Sequence, residues 1–210
     1  MTTGKETALE RVYGSTNIDD LTDAYSGWAA DYDRETAERG YLLPFFITAF
    51  VARHVPRSDG PILDAGCGTG LSGPSLVALG YPEIEGLDMS REMLEVAISR
   101  NVYKRLAIGR LGEDLPFHDD YFAAVIASGV FTLGHAPAEG FRELARVTRP
   151  GGHVIATVRD SILTSDGFRK IFTELEKTRR WQVIEETKPF RAFALAEPEA
   201  TVRCFVFRVI

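Results

Sequence analysis

The sequence predicts an α/β fold with a doubly wound, mostly parallel seven-stranded sheet and a helical N-terminal extension. Two observations carry this prediction. From residue 62 onward, short apolar runs alternate with segments of helical periodicity. The runs are also nearly continuously apolar, as in strands of a parallel sheet that is covered by helices on both faces.

Seven apolar runs are predicted as strands. In chain order they are ILDAG, IEGLD, LAI, FAAVIAS, HVIATVR, RWQVIEE and TVRCFVFRVI. The segments predicted as helices between them are GPSLVALG, SREMLEVAISR, AEGFRELARVTRPGG and DGFRKIFTELEKTRR. Ser90 is suited to cap the second of these helices. Pro150-Gly151-Gly152 is expected to end the third, because proline cannot continue a helix.

Two further helices are predicted before the first strand. NIDDLTDAYSGWAADYDRETAERG is predicted as one helix, with Asn17 as its N-cap and Gly40 as its stop, and YLLPFFITAFVARHV as a buried helix. Residues 1–16 lack periodicity and are expected to form a loose tail. We therefore expect an N-terminal tail and helical cap over 1–57 and a ligand-binding core over 58–210, within one structural domain.

Composition excludes several classes of protein. The 210 residues, 45% of them hydrophobic, suffice for one ordinary core. A net charge of -6 argues against a nucleic-acid partner. The two cysteines, Cys67 and Cys204, do not suggest a disulfide framework, which favours a reducing compartment. With no signal-peptide pattern and no apolar run of about 20 residues, we expect a cytoplasmic protein without membrane contact.

A glycine-rich loop follows the first strand. Asp64 precedes Gly66, Gly68 and Gly70, and ligands of such sheets bind beyond the carboxyl ends of the strands. A dinucleotide fingerprint needs glycine at its sixth place, where this chain has Leu71. Asp64 would also repel a pyrophosphate by on the order of a few kcal/mol. The loop therefore disfavours a nicotinamide oxidoreductase.

A second carboxylate, Asp88, ends the second predicted strand. An acidic residue at this place accepts hydrogen bonds from ribose hydroxyls, although Asp88 could instead cap the next helix together with Ser90. A nucleoside conjugate with a cationic centre and an ammonium group suits both carboxylates. Amides of the loop and the following helix would hold a single carboxylate of that ligand. S-adenosylmethionine carries all of these groups.

Four motifs then occur in series. LDAGCGTG, GLDMS, EDLPF and FRELARVTRPGG, from about Ile62 to Val158, resemble in order and spacing those of class I S-adenosylmethionine-dependent methyltransferases. AYSGWAADYDRETAERGYLLP resembles the methyltransferase-like group named for the Williams–Beuren syndrome region. The resemblance implies a Rossmann-like methyltransferase fold, S-adenosylmethionine as the cofactor and a small-molecule or protein methyl acceptor. A binding module without transfer activity is the alternative.

The resemblance also implies a set of cofactor contacts. Asp64 and Gly66 would meet the methionine amino end, Asp88 the ribose, and Met89 the adenine unless it is ordinary core packing. Metal ligands are not part of this prediction. The complete predicted set of cofactor contacts is Asp64, Ala65, Gly66, Cys67, Gly68, Gly70, Leu71, Asp88, Met89, Leu111, Gly112, Ser128, Trp28 and Tyr32.

The sequence departs from the family pattern before LPF. The family commonly carries there an acidic residue that takes the adenine amino group, whereas this chain has Leu111 followed by Gly112. We therefore expect backbone amides and Leu111 to hold the adenine, with Glu113 or Asp114 as substitutes for the missing acid.

The acceptor is expected beside the end of the fourth strand, as in related enzymes. SGVF, residues 128–131, lacks the Asn/Asp-Pro-Pro-aromatic signature of enzymes that methylate amide nitrogens. His135 lies on the same loop and is the candidate general base, the alternative being an exposed loop histidine. Tyr25, Trp28 and Tyr32 form one helical stripe, which either packs in the core or lines the site, where an aromatic face favours a sulfonium.

Overall fold

The computed structural model describes residues 8–15 and 17–210. Its strands are β1 Ile62–Ala65, β2 Ile84–Asp88, β3 Arg105–Ile108, β4 Phe122–Phe131, β5 Thr148–Arg159, β6 Trp181–Glu186, β7 Phe190–Arg191 and β8 Thr201–Val209. Its α-helices are α1 Ala8–Gly14, α2 Ile18–Trp28, α3 Tyr32–Glu38, α4 Leu43–His54, α5 Gly73–Ala78, α6 Arg91–Ser99, α7 Gly140–Val147 and α8 Phe168–Lys177. A short 3-10 helix, Asp160–Ile162, follows β5.

The strands form one sheet in the order β3-β2-β1-β4-β5-β8-β6, with the two-residue β7 paired to β8. Neighbours from β3 to β5 are parallel, and β8 runs antiparallel to both β5 and β6. This confirms the predicted doubly wound, mostly parallel sheet of seven strands, to which β7 is an addition. The strand order reverses at β1, so the switch point lies between β1 and β4, where ligands of such sheets bind.

Both faces of the sheet are covered by helices. Ile62 of β1 packs in one core with Ile47 of α4, and the next residue, Leu63, packs in the opposite core with Phe141 of α7 and Phe172 of α8. Burying each such side chain contributes about 1.5–3 kcal/mol. Successive strand residues therefore both face apolar cores, which explains the continuously apolar runs in the sequence.

The prediction of one helix over residues 17–40 is wrong, because the segment forms α2 and α3 with a turn at 29–31. Asn17 does cap α2, accepting a hydrogen bond from the Asp20 amide, and Gly40 has a positive φ of 70° at the end of the segment. The turn directs α3 toward the glycine loop, where Asp33 accepts a hydrogen bond from Thr69. Tertiary contacts of this kind override helix propensity.

The expected loose tail is also partly wrong. Residues 8–14 form α1, whose Leu9 and Val12 pack with Leu21 and Trp28 of α2. These apolar contacts stabilise a helix that is too short to be stable alone. The remainder of the expected tail, residues 1–7 and 16, lies outside the described residues.

The helix predicted to end at Pro150-Gly151-Gly152 ends earlier, at Val147, and β5 already begins at Thr148. The Thr148 hydroxyl donates to the Leu144 carbonyl and closes the last helical turn, while Thr148 itself pairs with Phe122 of β4. Strand pairing thus takes over before the proline is reached. Across residues 8–15 and 17–210, each helix is too short or too polar to span a membrane.

Candidate functional site

The glycine loop after β1 turns sharply toward β2. Gly66, Gly68 and Gly70 have φ angles of +77°, +54° and +83°, a region that favours glycine. The Gly66 amide donates to the Leu87 carbonyl, and the Gly68 amide to the Asp88 carboxylate. A Cβ placed on Gly68 would meet no other atom within 4 Å. Gly68 therefore presents bare backbone to open space, whereas Gly66 and Gly70 pack against Val130 and Tyr103.

Asp88 links this loop to the next helix. One carboxylate oxygen accepts from the Gly68 amide at 2.8 Å and the other from the Ser90 amide at 2.9 Å. Ser90 is the N-cap of α6, accepting from the Met93 amide at 3.2 Å. The capping alternative is thus present in the structure. Asp88 also lines the main cleft, and its contact with a ribose stays a prediction.

Asp64 is the second carboxylate, and only 2% of its surface is exposed. Burial raises its pKa to about 7, a hydrogen bond from the Tyr103 hydroxyl at 2.8 Å opposes that rise, and the charge of Asp88 adds to it. The ionised form is therefore disfavoured until a cation approaches.

A cleft of about 750 Å³, here called the main cleft, opens between the strand ends and the N-terminal helices. The predicted site residues that line it are Tyr32, Gly66, Gly68, Asp88, Met89, Leu111, Ser128 and His135. A small recess of about 340 Å³ adjoins it, and the predicted residues lining that recess are Tyr32, Asp64, Gly66, Cys67, Gly68, Leu71 and Ser128.

Several predicted residues line neither space. Ala65 is buried in the core, Gly70 faces the Tyr103 ring, and Gly112 faces Pro137. Glu113 and Asp114 are exposed and line neither the main cleft nor the small recess. Neither acid therefore lies where it could replace the missing adenine contact, whereas Leu111 does line the cleft as expected.

Other residues that line the main cleft were not predicted. They are Leu21, Tyr41, Leu87, Met93, Gly109, Arg110 and Ala136. Gly109 and Arg110 directly follow β3, so the rule that ligands bind at strand ends would have found them. The position of Tyr41 at the main cleft could not be predicted from its neighbours in the sequence. Its hydroxyl oxygen lies only 2.2 Å from where a Cβ of Gly129 would be, and Gly129 has a φ of +73°.

Ser128 tests whether the main cleft suits the predicted cofactor. Its Oγ is buried and has no hydrogen-bond partner among the described residues, although the residue borders both the main cleft and the small recess. An unsatisfied buried hydroxyl costs about 1–3 kcal/mol, which a polar ligand group would relieve. Two carboxylates, a bare glycine loop and this hydroxyl form a set that fits a cationic nucleoside conjugate.

A second chamber of about 600 Å³ lies behind the main cleft. The two spaces share a wall, here called the shared wall, that consists of Tyr25, Tyr32, Tyr41, Gly129 and His135. Further lining residues are Leu9, Val12, Trp28, Thr36, Leu43, Phe131, Thr132, Thr157, Arg159, Ala192, Phe193, Ala200 and Val202. The predicted cofactor contact Trp28 thus lines the second chamber and not the main cleft.

The aromatic stripe of Tyr25, Trp28 and Tyr32 stays together although the helix is broken between α2 and α3. The ring centroids of Tyr25 and Trp28 are 6.3 Å apart and those of Trp28 and Tyr32 4.8 Å apart. The Trp28 indole N–H donates to Glu35 at 2.9 Å. Burial raises the pKa of Tyr32, which keeps its phenol neutral. The stripe therefore both packs and lines cavities, so the two alternatives are not exclusive.

His135 is half-buried and hydrogen-bonded on both sides. Its Nδ1 lies 2.7 Å from the Leu133 carbonyl and its Nε2 2.9 Å from the Tyr25 hydroxyl. Because a carbonyl only accepts, we assign the proton to Nδ1, and Nε2 then accepts from Tyr25. Burial lowers the pKa of His135, the bond to Leu133 opposes this, and the charge of Arg159 lowers it further. The imidazole is thus a neutral base paired with a phenol, and its catalytic role stays a prediction.

Polar contacts tie the N-terminal helices to this edge of the sheet. Asp33 of α3 accepts from the Thr69 hydroxyl at 2.6 Å and pairs with Arg100. Ser26 of α2 donates to Glu92 at the start of α6 at 2.6 Å. The helices that border the main cleft are therefore anchored to the glycine loop and to α6.

Comparison with known proteins supports the motif analysis. A family model described as a methyltransferase domain matches residues 63–156. Methyltransferase-like protein 27 of Homo sapiens is 33% identical over 184 residues, which are 82% of this chain and 74% of that protein. The methyltransferase YodH of Bacillus subtilis is 35% identical over 113 residues, 52% of this chain and 48% of YodH. The chain thus spans about half of that relative.

Solved structures agree on the fold. A TehB-like S-adenosylmethionine-dependent methyltransferase from Corynebacterium glutamicum matches with a TM-score of 0.66, covering 90% of this chain and 100% of that chain. Its sequence identity is 17%, so this likeness concerns the fold alone.

Proposed function

We propose that this chain, which belongs to the S-adenosylmethionine-dependent methyltransferase family and takes S-adenosylmethionine as its cofactor, transfers a methyl group to a small molecule in the second chamber. The observation that carries this proposal is the shared wall. The main cleft, with Asp88 in its lining and Asp64 in the adjoining small recess, lies beside an aromatic chamber, and five residues border both the cleft and the chamber. A module that only binds the cofactor has no need of the second space.

The residues of the main cleft and small recess divide the binding work. In this proposal Asp88 accepts the ribose hydroxyls and Asp64 pairs with the ammonium group, which is supported by their positions in the linings of the main cleft and the small recess. Ser128 and the glycine-loop amides remain as donors for the polar groups between them. When bound, the cofactor supplies a methyl group on a positively charged sulfur and leaves as a neutral thioether.

Residues of the shared wall serve the acceptor. Tyr25, Tyr32 and Tyr41 exclude water and orient the acceptor for in-line attack, and positioning of this kind can contribute about 7–11 kcal/mol. The acceptor lone pair forms the new bond to the methyl carbon. Where the acceptor atom carries a proton, the neutral Nε2 of His135 receives it, either directly or through the Tyr25 hydroxyl.

Incubation with methyl-labelled S-adenosylmethionine and a whole cell extract, followed by separation of small molecules from macromolecules, tests the proposal. We expect label in a small organic product with wild-type protein and none with Asp88→Ala. A variant of the exposed Asp114, Asp114→Ala, is the matched control and should label normally. Label confined to macromolecules would contradict a small-molecule acceptor.

The catalytically silent module makes the opposite prediction in the same experiment. In that case the wild-type protein binds S-adenosylhomocysteine, but no fraction of the extract acquires label. That outcome, repeated over extracts from different growth conditions, would replace the transfer proposal with a regulatory or scaffold role.

A further inference from the structure

The second chamber is lined by a positive charge. Among the described residues that line it, Arg159 is the permanently charged one, and Asp and Glu are absent. The main cleft and small recess differ, because they carry the carboxylates of Asp88 and Asp64 together with Arg110. Among the described walls of the chamber, a ligand therefore meets a cation and no carboxylate.

Arg159 is built into the sheet rather than placed on a loop. It is the last residue of β5, is half-buried, and pairs with Val202 of β8. Thr157, two residues earlier, lines the chamber on the same face of the strand. The positive charge of Arg159 also acts on the His135 ring and lowers its pKa. The guanidinium is therefore close to the shared wall.

Two carboxylates near the chamber, Asp160 and Glu35, contact other groups. Asp160, next to Arg159 in sequence, pairs with Arg203 at 2.5 Å. Glu35 accepts the Trp28 indole N–H. A guanidinium carries five N–H donors in a planar fork, so Arg159 can bind a carboxylate with two of them while it keeps contacts to the protein.

The remaining walls are suited to an apolar body. Val12 of α1, Phe131 at the end of β4 and Phe193 before β8 are buried side chains that face the chamber. The polar groups on the walls include the shared-wall tyrosines and Thr157, whose hydroxyl already accepts from the Gly129 amide at 2.9 Å. Such a lining recognises a hydrocarbon framework with one charged end.

We infer that the methyl acceptor is a small organic anion, an apolar and aromatic-sized framework with a carboxylate group that Arg159 binds. This inference rests on the proposed function, because it assigns the second chamber to the acceptor. An anionic acceptor also suits the charge of the cofactor, since an anion is attracted to a site beside a positively charged sulfur.

Calorimetric titration of protein saturated with S-adenosylhomocysteine tests the inference with three probes of equal shape: 2-naphthoate, 2-naphthamide and 2-naphthylmethylammonium. We expect 2-naphthoate to bind at least tenfold more tightly than the amide and the ammonium probe to bind most weakly. Equal affinity for acid and amide, or preference for the ammonium probe, would overturn the inference. This comparison needs no variant, so it does not depend on how a substitution folds.

Variants then assign the discrimination to one residue. Arg159→Gln should remove the preference for 2-naphthoate over 2-naphthamide, and Arg159→Lys should retain part of it, since a lysine keeps the charge without the fork. Arg142→Gln, on the surface where Arg142 pairs with Glu174, is the matched control and should retain the full preference. A preference that persists in Arg159→Gln would show that another group binds the anion.

The proposal of methyl transfer and the proposal of an anion site at Arg159 can be refuted independently. Saturation with S-adenosylhomocysteine is measured in the same samples, and transfer is measured by the labelling assay. Binding of 2-naphthoate by a protein that labels nothing would leave the anion site standing and remove methyl transfer. A labelled neutral product from a protein that does not discriminate among the probes would do the reverse.

Discussion

The main cleft and the second chamber share five wall residues, yet they are built in different ways. The cleft is formed largely by short segments at consecutive strand ends, around residues 66–68, 88–89, 109–111 and 128–130, with bare backbone and acidic groups. The chamber is formed by side chains from α1 to α4, β4, β5 and the segment before β8, with aromatic groups and an arginine. The contrast teaches that the cofactor side is encoded locally and the acceptor side by tertiary packing.

The largest effect is expected at the carboxylate that holds the main cleft together. Asp88→Ala removes a ribose acceptor and the anchor of the Gly68 and Ser90 amides. With charge-assisted bonds worth about 1.5–3 kcal/mol each, the affinity for S-adenosylhomocysteine should fall about 100-fold or more in a calorimetric titration. Asp114→Ala should bind as wild type. A loss below about fivefold would mean that Asp88 serves only to cap α6.

Two glycines allow the two regions to be compared through one kind of change. A Cβ at Gly129 would meet the Tyr41 hydroxyl and adopt an unfavourable φ, so Gly129→Ala should lower the free energy of unfolding by about 2–4 kcal/mol. Gly68→Ala should lower the free energy of unfolding by only about 1–2 kcal/mol, from backbone strain, because its Cβ points into open space. Denaturant unfolding measures both. Equal losses would contradict the view that packing limits the chamber and open space defines the cleft.

Asp64 is expected to give cofactor binding a pH dependence. Its pKa is about 7 without ligand, and an ammonium group favours the ionised form, so ligand binding releases a proton. The affinity for S-adenosylhomocysteine should therefore rise about fivefold from pH 6 to pH 7 and about tenfold from pH 6 to pH 8, and level off above pH 8. In Asp64→Asn the affinity should be weaker and independent of pH over this range. A wild-type affinity that is flat from pH 6 to pH 8 would contradict a contact between Asp64 and the ammonium group.

The same carboxylate lowers the stability of the fold. Since the pKa rises from 3.8 to about 7 on folding, the folded chain binds more protons, and the free energy of unfolding should fall as the pH rises from about 4 to 7. At pH 8, Asp64→Asn should accordingly be more stable than wild type, by on the order of a few kcal/mol. Thermal unfolding at pH 5 and pH 8 checks this, with the difference between the two proteins shrinking at the lower pH.

The smallest expected effect lies in the shared wall. Tyr25→Phe removes the hydroxyl that donates to the neutral His135 ring, so the pKa of His135 should rise. The free energy of unfolding should fall by about 0.5–1.5 kcal/mol. An NMR titration of the imidazole protons follows the pKa directly. A fall in that pKa would mean that the ring donates to Tyr25 and that the assigned tautomer is wrong.

The contrast between the main cleft and the second chamber also explains which site residues could be predicted from the sequence and which could not. The glycine loop and Asp88 are neighbours in the chain or follow adjacent strands, so strand pattern and charge together located them. Tyr41 and Arg159 lie far apart in the chain, and only the fold brings them to the same space. The break between α2 and α3 was missed for a related reason. Contacts of Asp33 with Thr69 and Arg100 do not appear in the periodicity of one helix.

A structure of the complex with S-adenosylhomocysteine tests the central claim most directly, namely that an acidic cleft holds the methyl donor against a wall that opens on the acceptor. We predict the ribose hydroxyls on Asp88, the amino group beside Asp64 and the sulfur facing the shared wall. A ligand whose sulfur points away from the second chamber, or whose ribose and amino group leave both carboxylates without a contact, would contradict the claim.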